Sequence, residues 1–283
     1  MEDAVRIDGL SFTYHTAKEK ALDNIGLQVR KGEFLVLTGP TGAGKSTLCK
    51  CISGLIPNVV VGTLEGDVEV AGMSIKDHKI YELSKKVGLV FEHPDAQLFA
   101  LTVEDEIAFG PENLGLPVDE INRRIDWAFK VTRLERYRNS TPFNLSGGEK
   151  QSVVIAAILA MQPEVLVLDE PTSQLDPIGT SLIFDALRNL NRELKMTVIL
   201  VEQKIEKAIS IADRLILMDN GRILLDGNIK QLANKNFDLL MSKGVNLPIA
   251  EAFHKLKNKA NLDFEIPVTL DEGAKTLSSL LKM

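Results

Sequence analysis

The stretch Gly39-Pro40-Thr41-Gly42-Ala43-Gly44-Lys45-Ser46-Thr47 constrains this chain more than any other. It fits the G-x-x-x-x-G-K-[ST] pattern of a phosphate-binding loop. Its surroundings fit as well. Glu33 to Leu37 is a short apolar run readable as a buried strand, and Ser46 to Leu55 reads as a helix that stops near Gly54. Strand, glycine turn and helix in that order aim free backbone N–H groups and the positive end of a helix dipole at one point. Lys45 is placed to neutralise the β- and γ-phosphates of a nucleoside triphosphate, and the Ser46 hydroxyl to bind Mg²⁺. Such a loop does not say what the energy is used for. The rest of the chain has to decide that.

Before the loop the chain is β-rich. Val5-Arg6-Ile7 and Leu10 to Tyr14 flank Asp8-Gly9, a turn pair, and Leu27-Gln28-Val29 alternates. After it, Gly66 to Gly72 reads as a strand bounded by glycines and joining an N-terminal antiparallel sheet. Lys86 to Phe91 reads as a buried strand leading into the loop Glu92 to Phe99. Thr102 to Tyr137 is helical in pattern, with Ile121, Ile125, Ala128 and Phe129 on one face and Gly110-Pro111 and Gly115-Leu116-Pro117 as punctuation. This predicts a small helical insertion within a nucleotide-binding core.

Leu145-Ser146-Gly147-Gly148-Glu149-Lys150-Gln151 opens another helix. Ser146 and Glu149 have capping-box spacing, and the two glycines leave the first amides uncovered, which makes the helix start an anion site. Val153, Val154, Ala157, Ile158 and Met161 give that helix an apolar face. Glu164 to Pro171 is a buried parallel-type strand ending in Asp169 and Glu170, where ligands bind in open α/β sheets. Asp169 is placed to orient the Mg²⁺ held by Ser46, and Glu170 to polarise an attacking water. Ser173 to Pro177 follows as a loop, then a helix from Ile178 to Leu194 and a core strand Thr197 to Val201. A hairpin turns at Asn220-Gly221. Past Lys243 the composition changes, and two short helical patterns form a tail too small for its own core, which docks on the main domain or on a partner.

Net charge is −6, so the chain lacks the overall basic balance of a general nucleic-acid binder. The N-terminus has no signal-like apolar core, and the longest apolar run, Val153 to Met161, is too short to span a bilayer. A cytosolic location is expected, with any membrane role reached through a partner. Cys49 and Cys51, two apart on the helix after the phosphate loop, read as packing cysteines in a reducing compartment.

The phosphate loop, Leu145 to Glu149 and Asp169-Glu170, in that order, resemble the ATP-binding cassette (ABC) ATPases over about residues 4 to 230. The resemblance implies an α/β fold: a P-loop NTPase core with a mainly parallel sheet, an N-terminal antiparallel β subdomain, a helical insertion at about 95–160 and a small C-terminal helical tail. It divides the chain into an ATPase domain over 1–242 and a tail over 243–283 that helps pair two cassettes. It implies ATP with Mg²⁺ as ligands, the latter on Ser46 and Asp169. Gly39, Pro40, Thr41, Gly42, Ala43, Gly44, Lys45, Ser46 and Thr47 become nucleotide-binding, and Glu170 the catalytic base. Tyr14 is the adenine-stacking aromatic by resemblance, and a half-buried strand residue by its own pattern. Two cassettes of such proteins pack head to tail, so Ser146, Gly147, Gly148 and Glu149 contact the ATP of the partner, and Ser173 to Asp176 crosses the interface.

A narrower resemblance, carried by Phe91 to Phe99, Ala108 to Pro111 and the tail, is to the energy-coupling factor group, which powers uptake of vitamins and transition-metal ions. It implies a second ATPase subunit, identical or not, a transmembrane coupling protein with a substrate-binding membrane component, and a peripheral place on the cytoplasmic face of the membrane. Glu92 and Gln203 stand where the family has glutamine and the switch histidine. At roughly 6 Å and an effective dielectric near about 20, a carboxylate at 92 adds about 3 kcal/mol of gross interaction, attractive to metal and repulsive to phosphate. Gln203 can donate a hydrogen bond but cannot carry a proton as imidazole does. Either the pair slows hydrolysis at this site or the swaps are tolerated. A soluble cassette ATPase acting on nucleic acid or the ribosome is the alternative. Such relatives carry a long coiled coil, zinc cysteines or two cassettes, and this sequence has none of them. A GTPase would need an acid at the end of Asn258-Lys259-Ala260-Asn261.

Overall fold

A computed structural model describes residues 2–173, 175–260 and 262–281. Gln174 of the expected interface loop, Asn261, and the last two residues of the tail lie outside them. Two sheets carry the fold. The first is antiparallel, in the order β2-β1-β4-β5: β1 is Asp3–Tyr14, β2 Leu22–Arg30, β4 Gly62–Val70 and β5 Met73–Ser74. Asp8-Gly9 does not turn the chain. β1 runs through it, and Gly9, at φ 60, sits in a bulge where the register against both neighbours slips. Left-handed backbone serves a bulge as readily as a hairpin turn, and here the partners on either side decide. Gly66 likewise lies inside β4 and does not bound it.

The second sheet has six strands in the order β10-β9-β3-β8-β7-β6. β3 is Phe34–Thr38, β6 Val87–Val90, β7 Val165–Asp169, β8 Thr197–Val201, β9 Arg214–Asp219 and β10 Arg222–Gly227. All pairs are parallel except β9 with β10, the hairpin at Asn220-Gly221. β3, β7 and β8 are buried at every residue because both faces are covered. Alternation then sorts their side chains into two cores. Leu35, Leu37, Val165, Val167, Ile199 and Val201 face the antiparallel sheet and helix α1 (Lys45–Ile52). Phe34, Val36, Leu166, Leu168, Val198 and Leu200 face the other helices. Each such side chain contributes about 1.5–3 kcal/mol by leaving water. Single-turn helices α2 (Leu55–Asn58) and α3 (Ile80–Leu83) link α1 to β4 and β5 to β6.

The helical insertion holds α4 (Val103–Asn113), α5 (Val118–Thr132) and α6 (Gly147–Ala160). Gly110-Pro111 does not break it, since Pro111 lies within α4. The break comes at Leu114 to Pro117. Ile125, Ala128 and Phe129 are buried on α5 as the spacing implied. α6 differs from expectation. Ile155, Ala156, Leu159 and Ala160 are buried along with Val153 and Val154, while Ala157 and Ile158 are only partly covered. A helix wedged between α4, α5 and the sheet is apolar nearly all round, so no single face marks its core.

α7 (Pro177–Leu194) follows β7, and α8 (Ile229–Lys235) and α9 (Phe237–Ser242) follow β10. The tail is α10 (Pro248–Ala260) and α11 (Leu270–Leu280). Val245, Leu247, Ala250, Phe253, Ile266 and Val268 join the same core as the sheet, so the tail packs on the main body of the chain. No helix among the described residues is long and apolar enough to cross a membrane.

Candidate functional site

The carboxyl ends of β3, β7 and β8 lie side by side and deliver the expected residues to one place. Gly39 to Gly44 leaves β3 and closes on α1. Lys45 is buried, and its Nζ donates to the carbonyls of Gly39 at 2.8 Å and Pro40 at 3.0 Å. The same Nζ lies 3.9 Å from Glu170 Oε1. The loop is braced from outside, because Gly221 N donates to the Ala43 carbonyl at 3.1 Å and the Met218 carbonyl lies against Gly39. Tyr14, half-buried at the end of β1, shares a 2.9 Å hydrogen bond with Thr47 Oγ1, and its ring meets Phe12 edge-on. The structure thus ties Tyr14 to the first turn of α1.

Asp169 ends β7. Its Oδ1 is buried and has no hydrogen-bond partner. Burial pushes its carboxyl above the ordinary range, the Ser46 hydroxyl opposes this, and the charges of Glu170 and Glu92 push it further. Buried acceptors are normally satisfied, so an orphaned carboxylate oxygen beside a serine hydroxyl fits a cation. Among the described residues no cluster of His, Cys, Asp and Glu could hold a metal by itself. A Mg²⁺ ion taking one carboxylate and completing its shell with phosphate oxygens and water suits such a donor set.

Glu170 follows with φ 48, left-handed backbone that a non-glycine residue adopts only when its surroundings enforce it. Its N–H donates to the Val201 carbonyl at 3.0 Å. Gln203 Nε2 donates to Glu170 Oε1 at 2.9 Å and Oε2 at 3.2 Å. Gln203 also lines a cavity of about 490 Å³ with Thr38, Gly39, Pro40, Ser242, Lys243 and Gly244. The larger cavity, about 570 Å³, opens near Glu33 and Asp213 at the amino ends of β3 and β9, away from this chemistry.

Ser146 caps α6 as its spacing implied. Its hydroxyl accepts from Glu149 N, and Glu149 Oε2 accepts from Ser146 N at 2.9 Å. Burial opposes ionisation of Glu149, but hydrogen bonds from Tyr137 and Ser146 and the charge of Arg136 hold its carboxyl below the usual value. Ser146 is exposed and Gly147 and Gly148 are half-buried, so the helix start opens outward. Ser173 is exposed, and Asp176 caps α7 by accepting from Gly179 N at 2.6 Å.

Several residues that the sequence reading passed over hold this site together. Gln97 accepts from Phe91 N at 2.8 Å and donates to the Leu89 carbonyl at 3.0 Å, closing the loop that carries Glu92. Buried Glu106 accepts from Phe99 N and Ala100 N at 2.9 and 2.8 Å. The loop is tied to α6 by Lys150 Nζ to Asp95 Oδ1 at 2.7 Å and by Gln151 Nε2 to the Phe91 carbonyl at 3.3 Å. Glu202, buried after β8, accepts from Thr172 Oγ1 at 2.5 Å and from the amides of Gln203 and Lys204 at 3.0 and 3.2 Å. Burial raises its pKa against those hydrogen bonds. The ties of Lys150 to Asp95, Gln151 to Phe91 and Glu202 to Thr172 join residues far apart in sequence, and the shorter ones follow no repeating spacing, so no local pattern announced them.

A phosphate loop, a capped glycine turn and paired acids on one P-loop sheet define an ATP-binding cassette, and the chain belongs to the ABC transporter family, whose profile matches residues 22–173. It is an ABC ATPase of a transporter. The chain is 45% identical over 276 residues to an ABC transporter ATP-binding protein of Pyrococcus horikoshii, covering 97% of this chain and 96% of that one. It is 40% identical to the energy-coupling factor transporter ATP-binding protein EcfA2 of Clostridium tetani, covering 97% and 96%. Several longer relatives are matched over only 39% to 48% of their own length. Among solved structures it resembles cbiO1 of Clostridium perfringens, part of the ABC transporter complex cbiONQ, at 32% identity and a TM-score of 0.75, covering 91% of this chain and all of that one. It also resembles the cassette MJ0796, a dimer bound to ADP and Pi after hydrolysis, at 30% identity and a TM-score of 0.70, covering 80% and 98%.

Proposed function

We propose that this chain is one of two cassettes that power an energy-coupling factor importer of a vitamin or a transition-metal ion. The named likeness to EcfA2 and cbiO1 supports that group. The observation that carries the reading is the brace between the Glu92 to Phe99 loop and α6. Lys150–Asp95 and Gln151–Phe91 tie that loop and its root to the helix that Ser146 caps. Beside it, Phe99 and Phe109 meet edge-on, and with Leu101 they are exposed, an apolar surface suited to a transmembrane partner. A force generated where Ser146 meets ATP thus has a path to the membrane side.

ATP lies against the Gly39–Thr47 loop, with Tyr14 placed near its base. Lys45 exchanges the carbonyls of Gly39 and Pro40 for phosphate oxygens, a change of partner and not of position. Ser46 and Asp169 hold Mg²⁺, which when bound neutralises charge on the transferring phosphoryl group. Glu170 accepts the proton of the attacking water, and Gln203 holds the Glu170 carboxylate in place until then. Ser146 to Glu149 of this chain contact the ATP held by the second cassette, whose own capped glycine turn closes over the γ-phosphate held here, with Ser173 and Asp176 at the interface. The tail over 243–283 contributes to the pairing, and the chain sits peripherally on the cytoplasmic face of the membrane through its partners.

Affinity capture of the full chain from detergent-solubilised membranes, followed by mass spectrometry, tests this. An integral membrane protein and a second cassette are expected in the eluate. Capture of ribosomal or DNA-bound material instead sinks the transport reading. Lys45→Ala should weaken ATP binding about a hundredfold by calorimetry, as the loss of a charge-assisted contact predicts.

A further inference from the structure

Glu202 lies outside the motifs that build the nucleotide site. It is 3% exposed, it lies one residue before Gln203, and the family motifs assign it nothing. Its backbone N–H donates to the Leu37 carbonyl at 3.1 Å, so it is fixed to the end of strand β3 just before the phosphate loop. One carboxylate oxygen, Oε2, takes the hydroxyl of Thr172, itself buried. The other, Oε1, takes the amides of Gln203 and Lys204. Thr172 stands two residues after Glu170 and immediately before Ser173, where the interface loop begins, and its carbonyl accepts from Leu175 N at 3.1 Å. A single buried acid therefore joins the segment after the candidate base to the segment that carries the switch glutamine.

The geometry points to Glu202 as a positioning residue for hydrolysis: it locks the Thr172 turn to the backbone of Gln203, and through that to the Gln203–Glu170 contact. The inference rests on the roles given above to Glu170 and Gln203. It follows from what each partner would do if released. Without Oε1, the Gln203 and Lys204 amides lose their acceptor and the backbone at 203 is free to turn. Gln203 Nε2 then no longer meets both Glu170 oxygens. Without Oε2, the Thr172 hydroxyl is left buried and unpaired, and the interface loop loses its anchor at the root. The hydrogen bonds of Glu202 go to Thr172, Gln203, Lys204 and Leu37 and none of them to the Gly39–Thr47 loop, so ground-state binding of ATP is not its task.

The test is steady-state ATPase activity and ATP affinity of the full chain carrying E202A, E202Q, T172V or E170Q. E202A is expected to lower kcat by on the order of tenfold to a hundredfold, the size of effect that misplacing a reacting group produces, with KM for ATP within about twofold. E202Q keeps an acceptor for the two amides and a donor for Thr172 Oγ1, so it should restore most of the activity. T172V removes one bond without changing shape and should show part of the E202A loss, which also decides the matter if E202A does not fold. Normal kcat in both E202A and T172V overturns the inference. So does a loss in which kcat, ATP affinity and melting temperature fall together and E202Q gives no rescue, because that is a structural role. E170Q separates the two levels. If it hydrolyses ATP normally, the underlying assignment of the base fails and Glu202 falls with it. If E170Q is inactive while E202A and T172V are normal, only the positioning role fails.

Discussion

Gln203 Nε2 reaches both carboxylate oxygens of Glu170, at 2.9 and 3.2 Å. A neutral amide thus clasps the candidate base, and on the proposed assignment it stands in for the switch imidazole. It can orient the carboxylate but gives it no proton and no positive charge. Glu92 adds a further negative charge close enough to raise Asp169.

Gln203→His combined with Glu92→Gln is therefore expected to raise ATP turnover by about tenfold or more, toward the roughly hundredfold or greater effect ascribed to a positioned acid–base group. Phosphate release by the full chain, alone and with its membrane partners, measures it. An unchanged or lower rate would mean that the two swaps are tolerated and that the site is not slowed by them.

Gly39 and Gly42 both have positive φ but differ in what surrounds them. A Cβ on Gly39 would stand 2.0 Å from the Met218 carbonyl, whereas one on Gly42 would meet nothing within 4 Å. Gly39→Ala should cost about 3 kcal/mol or more, because backbone must move, and Gly42→Ala only about 1–2 kcal/mol for the left-handed conformation. Chemical denaturation of the two variants without nucleotide reads the difference. Equal losses would show that crowding by β9 does not set the loop.

Cys49 and Cys51 are both buried. Burial pushes Cys51 up to about 12 and Cys49 well above its ordinary value. The thiolate is the reactive form. Neither should react with a thiol reagent at pH 8 in the native protein, and both should react after denaturation. Rapid labelling of the folded chain would contradict the packing.

The Glu202 carboxyl is raised by burial, with the nearby Glu170 charge adding to it and three hydrogen bonds opposing. The folded chain then holds that proton to a higher pH than the unfolded chain, so this group's contribution to stability falls as pH rises from about 4.5 through the native pKa. Glu202→Gln removes the titration. The melting temperature of the variant relative to the parent should increase from pH 4.5 to pH 7. A gap that stays constant across that range would show that Glu202 does not titrate abnormally.

The sequence made the chemistry of this site legible wherever it is local. Gly39 to Thr47, the Ser146–Glu149 cap and Asp169-Glu170 each carry their geometry in a few adjacent residues, and each stands where its spacing placed it. The hairpin at Asn220-Gly221 could be read for the same reason. What stayed hidden depends on distant partners. Asp8-Gly9 has turn chemistry, and only β2 and β4 on either side make it a bulge. α6 shows one apolar face by period, and only its place among other helices buries the rest. Glu202 reads as a polar residue ending a strand until Thr172, thirty positions earlier, is brought against it.

The cavity beside Gln203 has the start of the tail as one wall. Lys243 is ion-paired to Asp219 at 2.5 Å, at the end of the strand whose neighbouring carbonyl presses on Gly39. The tail that begins at Lys243 and the loop that begins at Gly39 therefore lean on the same strand end, Met218-Asp219, one through an ion pair and the other through backbone contact.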